Sequence, residues 1–232
     1  MRLVIISDTH GDHLKLKLPA GDVLIHCGDF CTDTEESHWL SALRFVNWFG
    51  AQPHKHKVFI AGNHDVFLDS AFSARYPNES LMFLKVIPPN VYYLNDSGIT
   101  LDGVKFWGSP VQPVFFNWAF NRTSSDIGKH WQMIPVGTNV LITHGPAYGY
   151  RDQAFKIGSN ELEHTGCPQL LAKIEEIKPA LHCYGHIHYS YGAHQAEDTL
   201  HINASNSNER YKIANKPMVV DLFEGIAVHV DY

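Results

Sequence analysis

The chain has few basic residues: 18 Lys and Arg stand against 24 Asp and Glu in 232 residues, a formal net charge of −6. Those cations are scattered and form no stripe. A protein that grips a nucleic-acid duplex neutralises phosphates with clustered Lys and Arg, so a long duplex is an unexpected partner and a small substrate is favoured. Cysteine is scarce as well. Cys27, Cys31, Cys167 and Cys183 include no Cys-x-x-Cys pair, and a chain of this length needs no disulfide framework. Cys27 and Cys183 sit in apolar runs and read as small core residues. Although Cys27 and Cys31 flank Asp29, phosphate chemistry calls for harder ligands than thiolate. No apolar run approaches the roughly 18 residues of a membrane span. Residues 3–6 are too short for a signal-peptide core, so the expected compartment is the cytoplasm. Repeats and low-complexity stretches are missing too. With 44% hydrophobic residues, the chain can bury a good core, and residues 1–232 are expected to form a single domain.

Histidine is abundant: there are 16. Most must be surface or core residues, but several stand in an ordered series with carboxylates and an amide. Asp8, His10, Asp29, Asn63, His144, His186 and His188 almost all follow a short strand-like run. The runs are residues 2–6, 22–26, 57–61, 139–143 and 180–184, rich in Val, Ile and Leu and apolar on both faces, as strands buried between layers are. Ligands at the ends of such strands lie where α/β sheets hold their sites. Asp8 and His10, spaced by two, point to one side at a strand end, and His186 and His188 repeat the spacing.

These residue types suit a pair of divalent cations about 3.5 to 4 Å apart, which can grip the attacking and leaving oxygens of a phosphoryl group. Imidazole suits zinc, iron and nickel, while carboxylate suits manganese and harder ions. One ligand must be shared, and a carboxylate can bridge where an imidazole cannot. Asp29, alone after residues 23–25, is the candidate bridge.

Five blocks carry a family resemblance: Ser7-Asp8-Thr9-His10-Gly11, Gly28-Asp29, Gly62-Asn63-His64-Asp65, Thr143-His144-Gly145 and Gly185-His186-Ile187-His188. Together they resemble the calcineurin-like metallophosphoesterase superfamily. Gly108-Ser109-Pro110-Val111-Gln112-Pro113, Trp118-Ala119-Phe120-Asn121-Arg122, Tyr150-Arg151-Asp152 and Ile202-Asn203-Ala204-Ser205 look like its metallophosphoesterase-domain-containing (239-type) subfamily, related to class III cyclic nucleotide phosphodiesterases. The likeness runs from Asp8 to about Leu222. It implies an α/β (α+β), four-layer metallophosphoesterase fold, a two-sheet β-sandwich flanked by helices. It further implies that Asp8, His10, Asp29 and His188 hold one metal, that Asp29, Asn63, His144 and His186 hold the other, and that His64 faces the scissile phosphate. Two departures stand out. Asp65 replaces a common Glu, and Phe30-Cys31-Thr32 replaces the Val-Asp-Arg of protein phosphatases, which argues against a phosphoprotein substrate.

The expected cofactors are two divalent ions (Mn, Fe, Zn or Ni, with Mn favoured), and the expected reaction is hydrolysis of a small phosphodiester such as a cyclic nucleotide. A water bridging the metals loses a proton near neutral pH and attacks in line with the leaving oxygen. Asp29 and His64 are the catalytic candidates, and Asp33 or Asp65 is the expected hydrogen-bond partner of His64. Alternatives are a nucleotide phosphomonoesterase or nuclease, and a non-catalytic metal-stabilised binding scaffold.

Substrate contacts are expected from Arg151, Tyr148 and Asn63, with Tyr150 nearby and Asn203 at a strand end. Arg151 either clamps a phosphate or pairs with Asp152. The aromatic stretch 115–120 either lines a pocket or plugs the core beneath a loop.

Elsewhere, Asp33-Thr34-Glu35-Glu36 reads as a capping box opening a helix that uses Leu40, Leu43, Val46, Trp48 and Phe49 and stops at Gly50. Pro168 opens another through Ile177, ended by Lys178-Pro179. Asp102-Gly103 and Glu224-Gly225 each read as the turn of a hairpin.

Overall fold

A computed structural model describes residues 1–32, 38–72 and 74–231. Two six-stranded sheets face one another. The first joins β1 (Arg2–Ile6), β2 (Val23–His26), β3 (His56–Phe59) and β4 (Val91–Tyr93), all parallel, and the second is built on β5 (Ser97–Leu101) and β6 (Val104–Ser109). Two-residue strands β7 (Gln112–Pro113) and β8 (Asn121–Arg122) pair apart from it. β9 (Val140–Thr143) continues the second sheet, and β10 (Gln153–Phe155) and β11 (Leu162–His164) form a separate hairpin. β12 (Leu181–Tyr184), β13 (Gly192–Gln195) and β14 (Leu200–Asn203) complete the second sheet, in the order β13-β14-β12-β9-β6-β5. β15 (Met218–Phe223) and β16 (Ile226–His229) return to the first, in the order β16-β15-β1-β2-β3-β4.

The four central strands β1, β2, β9 and β12 are buried along nearly their whole length, because each face meets a different layer. In β1, Leu3 and Ile5 enter the core between the sheets with Val140, Ile142, Leu181 and Cys183, while Val4 and Ile6 pack beneath helix α1 (His38–Gly50) and α2 (Glu79–Val86). In β9, Leu141 turns the other way, onto Trp131 of α3 (Ile127–Trp131) and Leu170 and Ile174 of α4 (Pro168–Ile177). The period-two alternation therefore separates three apolar clusters between four layers. This is the sandwich flanked by helices that the sequence implies.

Helix α1 buries Ala42, Phe45, Val46 and Phe49, one face at helical spacing. Leu40, expected on that stripe, is exposed instead. Phe45 sets the register by stacking on Phe30, with ring centroids 4.3 Å apart. Removing such a buried ring costs about 3–5 kcal/mol. The capping box lies outside the described residues. Helix α4 starts at Pro168 and ends where Lys178 turns left-handed (φ 48°) ahead of Pro179. Asp102-Gly103 and Glu224-Gly225 both take positive φ and close their hairpins as type I′ turns do. Cys27 and Cys183 are buried between the sheets, and Cys31 is buried beneath α1.

Candidate metal centre

All the expected ligands lie beyond the C-terminal ends of parallel strands at one edge of the sandwich: Asp8 and His10 after β1, Asp29 after β2, Asn63 and His64 after β3, His144 after β9, and His186 and His188 after β12. Bridge pairing of Ser7 with Ser205 ties the two sheets together there. Reversing so sharply strains the backbone. Asp8, His10, Asp29 and His186 take φ of 53°, 42°, 59° and 66°, the left-handed region that costs a non-glycine residue about 1–3 kcal/mol.

Three groups of side chains converge. The ligand atoms within each of Asp8–His10–His188, His10–Asp29–His64 and Asp29–His144–His186 lie within 4.8 Å of one another. Asp29 and His10 each belong to two of the three, and of the two only Asp29 is a carboxylate, able to bridge two ions. Asn63 joins the third group through Oδ1, 2.9 Å from His144 Nε2. Closeness of the loops depends on Gly62, where a Cβ would run into Asp29 Oδ1 and His144 Cε1.

Hydrogen bonds fix which nitrogens are free. His144 Nδ1 lies 2.9 Å from the Cys27 carbonyl, and His188 Nδ1 lies 2.9 Å from the Asn208 carbonyl. A carbonyl accepts only, so both Nδ1 atoms carry the proton and each neutral ring turns its Nε2 lone pair inward. Inward, the His144 lone pair meets Asn63 Oδ1 and, at 3.3 Å, Asp29 Oδ2. The His188 lone pair meets the acceptor Asp8 Oδ1 at 3.6 Å, with His10 Nε2, whose protonation the hydrogen bonds leave open, 3.4 Å away. Lone pairs facing lone pairs in a buried space repel unless a cation, a proton or a metal ion, stands between them. His10 Nδ1 is buried without a hydrogen-bond partner. The donor set is mixed imidazole, carboxylate and amide, which suits divalent transition ions.

Protons take the cation's place in the metal-free chain. Burial pushes His144 down, but the charge of Asp29, its hydrogen bond and the charge of Asp8 outweigh it and lift the imidazolium to about 9. Burial likewise opposes ionisation of Asp8 and Asp29, yet the nearby imidazoles hold both below the usual carboxylate range, His188 chiefly for Asp8 and His144 for Asp29. His186, buried beside His144, falls to about 3 and stays neutral.

His64 sits over this centre. Its ring lies between those of Trp118 and His10, at 4.3 and 4.9 Å, and its Nε2 is 3.9 Å from Asp29 Oδ2. The expected pairing with Asp65 does not occur. Asp65 is turned back into the loop and accepts the backbone N–H groups of Asp29, Phe30, Cys31 and Gly62. It therefore shapes the Asp29 turn. Asp33, the other expected partner, lies outside the described residues.

A cavity of about 540 Å³ opens onto Asp29, Asn63, His64, His186 and His188. Two expected substrate contacts, Arg151 and Tyr148, do not line it. Arg151 donates from Nε and Nη2 to the Ala193 carbonyl on β13, a bond made possible by its own left-handed turn (φ 46°). It does not pair with Asp152 either, whose carboxylate lies 2.7 Å from His164 Nδ1 and accepts the N–H groups of Gly149 and Gly166. The Tyr148 ring lies against His164, and Tyr150 stacks on His201 on the far side of the sheet. Asn203 is buried and braces the ligand loop, donating to the carbonyls of Ile187 and Arg151. The aromatic stretch divides: Phe120 is buried, while Phe115 and Phe116 are exposed and Phe115 lines the cavity.

Several supporting residues carry little sequence signal. Asn206 accepts the Ser7 N–H and donates to the carbonyls of Asn215 and Lys216. Tyr211 places its ring 4.8 Å from His10 and 5.2 Å from His188. Both stand in irregular chain after β14. His26 and His182 did leave a trace, as the polar residues inside fully buried strands.

Fold and site together define a metallophosphoesterase. The model of the calcineurin-like phosphoesterase family matches residues 1–190, and the chain belongs to that family, whose activity is metal-dependent phosphoester hydrolysis. It is 36% identical over 237 residues to human metallophosphoesterase domain-containing protein 1, covering 95% of this chain and 71% of that protein. A UPF0046 protein of Caenorhabditis elegans is 35% identical over 224 residues, covering 94% and 74%. Among solved structures, TT1561 of Thermus thermophilus shares the fold with a TM-score of 0.61 at 10% identity, over 99% of this chain and 98% of that one. No helix among the described residues is long and apolar enough to cross a membrane.

Proposed function

We propose that the protein is a dinuclear metal-dependent phosphodiesterase acting on small phosphodiesters, cyclic nucleotides among them. The observation that carries this reading is the convergence of ligand atoms on either side of Asp29, with the Nε2 lone pairs of His144 and His188 turned inward. Asp8, His10, Asp29 and His188 would hold one ion, and Asp29, Asn63, His144 and His186 the other, with manganese the favoured metal. Two such ions polarise a phosphoryl oxygen and lower the pKa of a coordinated water.

The chain's own residues do the rest. Asp29 stands between the two groups, its Oδ1 held by the His64 backbone N–H at 2.8 Å, so the shared ligand cannot swing away. Asp65 fixes the turn behind it. His64 faces the cavity and is placed to hydrogen-bond a phosphoryl oxygen or to protonate the departing alkoxide, a role that suits an imidazole near neutral pH. Substrate is a small-molecule diester or nucleotide.

The test is hydrolysis of bis-p-nitrophenyl phosphate beside p-nitrophenyl phosphate, after chelation and reconstitution with manganese. The reading requires metal-dependent preference for the diester, lost in Asp29→Ala. Preference for the monoester points to a phosphomonoesterase, and turnover of neither with metal bound points to a binding scaffold.

A further inference from the structure

Resting on the phosphodiesterase reading, the cavity's outer wall narrows the substrate class. Among the described residues, no Lys or Arg lines it. Of the cationic groups nearby, Arg151 is held by the Ala193 carbonyl and Arg122 by His130 and the Asn121 carbonyl, while exposed Arg210 and Lys156 flank lining residues without lining the cavity themselves. The charged side chains beyond the centre are instead two carboxylates, Glu163 on β11 and Glu209 in the loop before Tyr211. The wall also carries four aromatic rings, those of Phe115, Phe155, Tyr189 and Tyr211.

That wall is built to stay in place. The Phe155 and Tyr189 rings lie 4.7 Å apart, and the edge contact of Phe115 with His186, at 5.5 Å, brings an apolar face beside an expected ligand. Asn121 clamps the loop below, accepting the Phe115 N–H and donating to the carbonyls of Phe115 and Phe116. Around the centre the lining offers a substrate aromatic rings and carboxylates.

We propose that the site selects phosphodiesters carrying a single negative charge and an uncharged aromatic group, and turns away esters with a second anionic group, with Phe115, Glu163 and Glu209 as the determinants. A phosphodiester monoanion answers the charge of the centre. A second anion on the same molecule would find no cation among the lining residues and two carboxylates to repel it, a like-charge contact that disfavours the wrong ligand. The aromatic ring gains stacking contacts that a methyl group lacks.

Three diesters with the same scissile bond test this on the manganese-loaded protein: p-nitrophenyl phenyl phosphate, its 4-carboxyphenyl analogue and methyl p-nitrophenyl phosphate. In each, water adds to phosphorus, the bond to the p-nitrophenyl oxygen breaks, and p-nitrophenol and a phosphomonoester result. The expected kcat/KM is about tenfold lower for the carboxyphenyl than for the phenyl ester, with the gap shrinking as salt is raised. The ratio of the two should approach one in the double variant Glu163→Gln, Glu209→Gln. The phenyl-to-methyl ratio should fall roughly fivefold in Phe115→Ala. Equal rates for all three esters, or ratios that the variants leave in place, overturn the charge and ring selection while sparing the phosphodiesterase reading. Turnover of none of the three overturns both.

Discussion

His182 Nε2 lies 2.8 Å from Thr143 Oγ1, directly before His144 in the chain. The Thr143 hydroxyl gives its proton to the Gly145 carbonyl at 2.7 Å, so His182 must donate from Nε2. Its Nδ1 is then an acceptor, 3.2 Å from His201 Nδ1. The first sheet repeats the device: His26 Nδ1 accepts the Gly28 N–H, leaving Nε2 to donate to Thr9 Oγ1, between Asp8 and His10, at 3.0 Å. A buried neutral histidine thus sits beneath a ligand loop in each sheet.

Replacing His182 by Leu leaves the His201 N–H without its buried acceptor and Thr143 without a donor. The expected loss is about 1–3 kcal/mol of stability, read from urea unfolding, together with weaker metal retention. His182→Leu with wild-type stability and metal content would show that the pair does not support the site.

Burial holds His13, His26 and His201 neutral, at about 4, 3 and 4, whereas an unfolded imidazole titrates near 6.5. Below about 6.5 the unfolded chain therefore binds more protons than the folded one. Their stability contribution is fully present above that pH and is lost as pH falls towards 4. His144, lifted to about 9, has the opposite sign: its contribution is full below about 6.5 and is lost as pH rises through 9. The urea midpoint of the metal-free protein should drop steadily on acidification below about 6.5, and His201→Gln should shallow that slope. A midpoint that stays level down to pH 4.5 contradicts the assignment.

Gly62→Ala forces a methyl group onto Asp29 and His144. The expected variant keeps its secondary structure by circular dichroism and loses bound metal and turnover together, because the collision moves ligands and leaves the sandwich untouched. Full metal occupancy would mean that the loop yields more easily than its packing implies.

His64→Ala should retain both metals and lower kcat roughly 10²- to 10⁴-fold. Metal analysis beside steady-state kinetics separates this from a ligand defect, and undiminished kcat would remove His64 from the chemistry.

Much of this was legible in the chain. Each ligand-bearing strand announced itself because burial on both faces makes its residues continuously apolar, and the strand ends then expose whatever the loop carries. Pro168, Gly103 and Gly225 marked their turns through backbone chemistry that acts locally. What escaped depends on contacts between distant segments. On α1 it is Ala42 that is buried and Leu40 that is exposed, on a helix whose Phe45 stacks on the distant Phe30. Arg151 looked like a phosphate clamp from its place after His144, but its turn delivers the guanidinium to Ala193. Asp65 sits beside His64 in sequence, yet three of its four backbone donors come from residues 29–31. Glu163, Glu209 and Tyr189 reach the cavity from three different segments, and no local pattern unites them.

If two ions on either side of Asp29 make this chain a phosphodiesterase, titration of the metal-free protein with manganese while following hydrolysis of bis-p-nitrophenyl phosphate tests it most directly. The account predicts activity that rises to a plateau at two equivalents per chain and is lost in Asp29→Ala. A plateau at one equivalent, or no turnover with two ions bound, would contradict it.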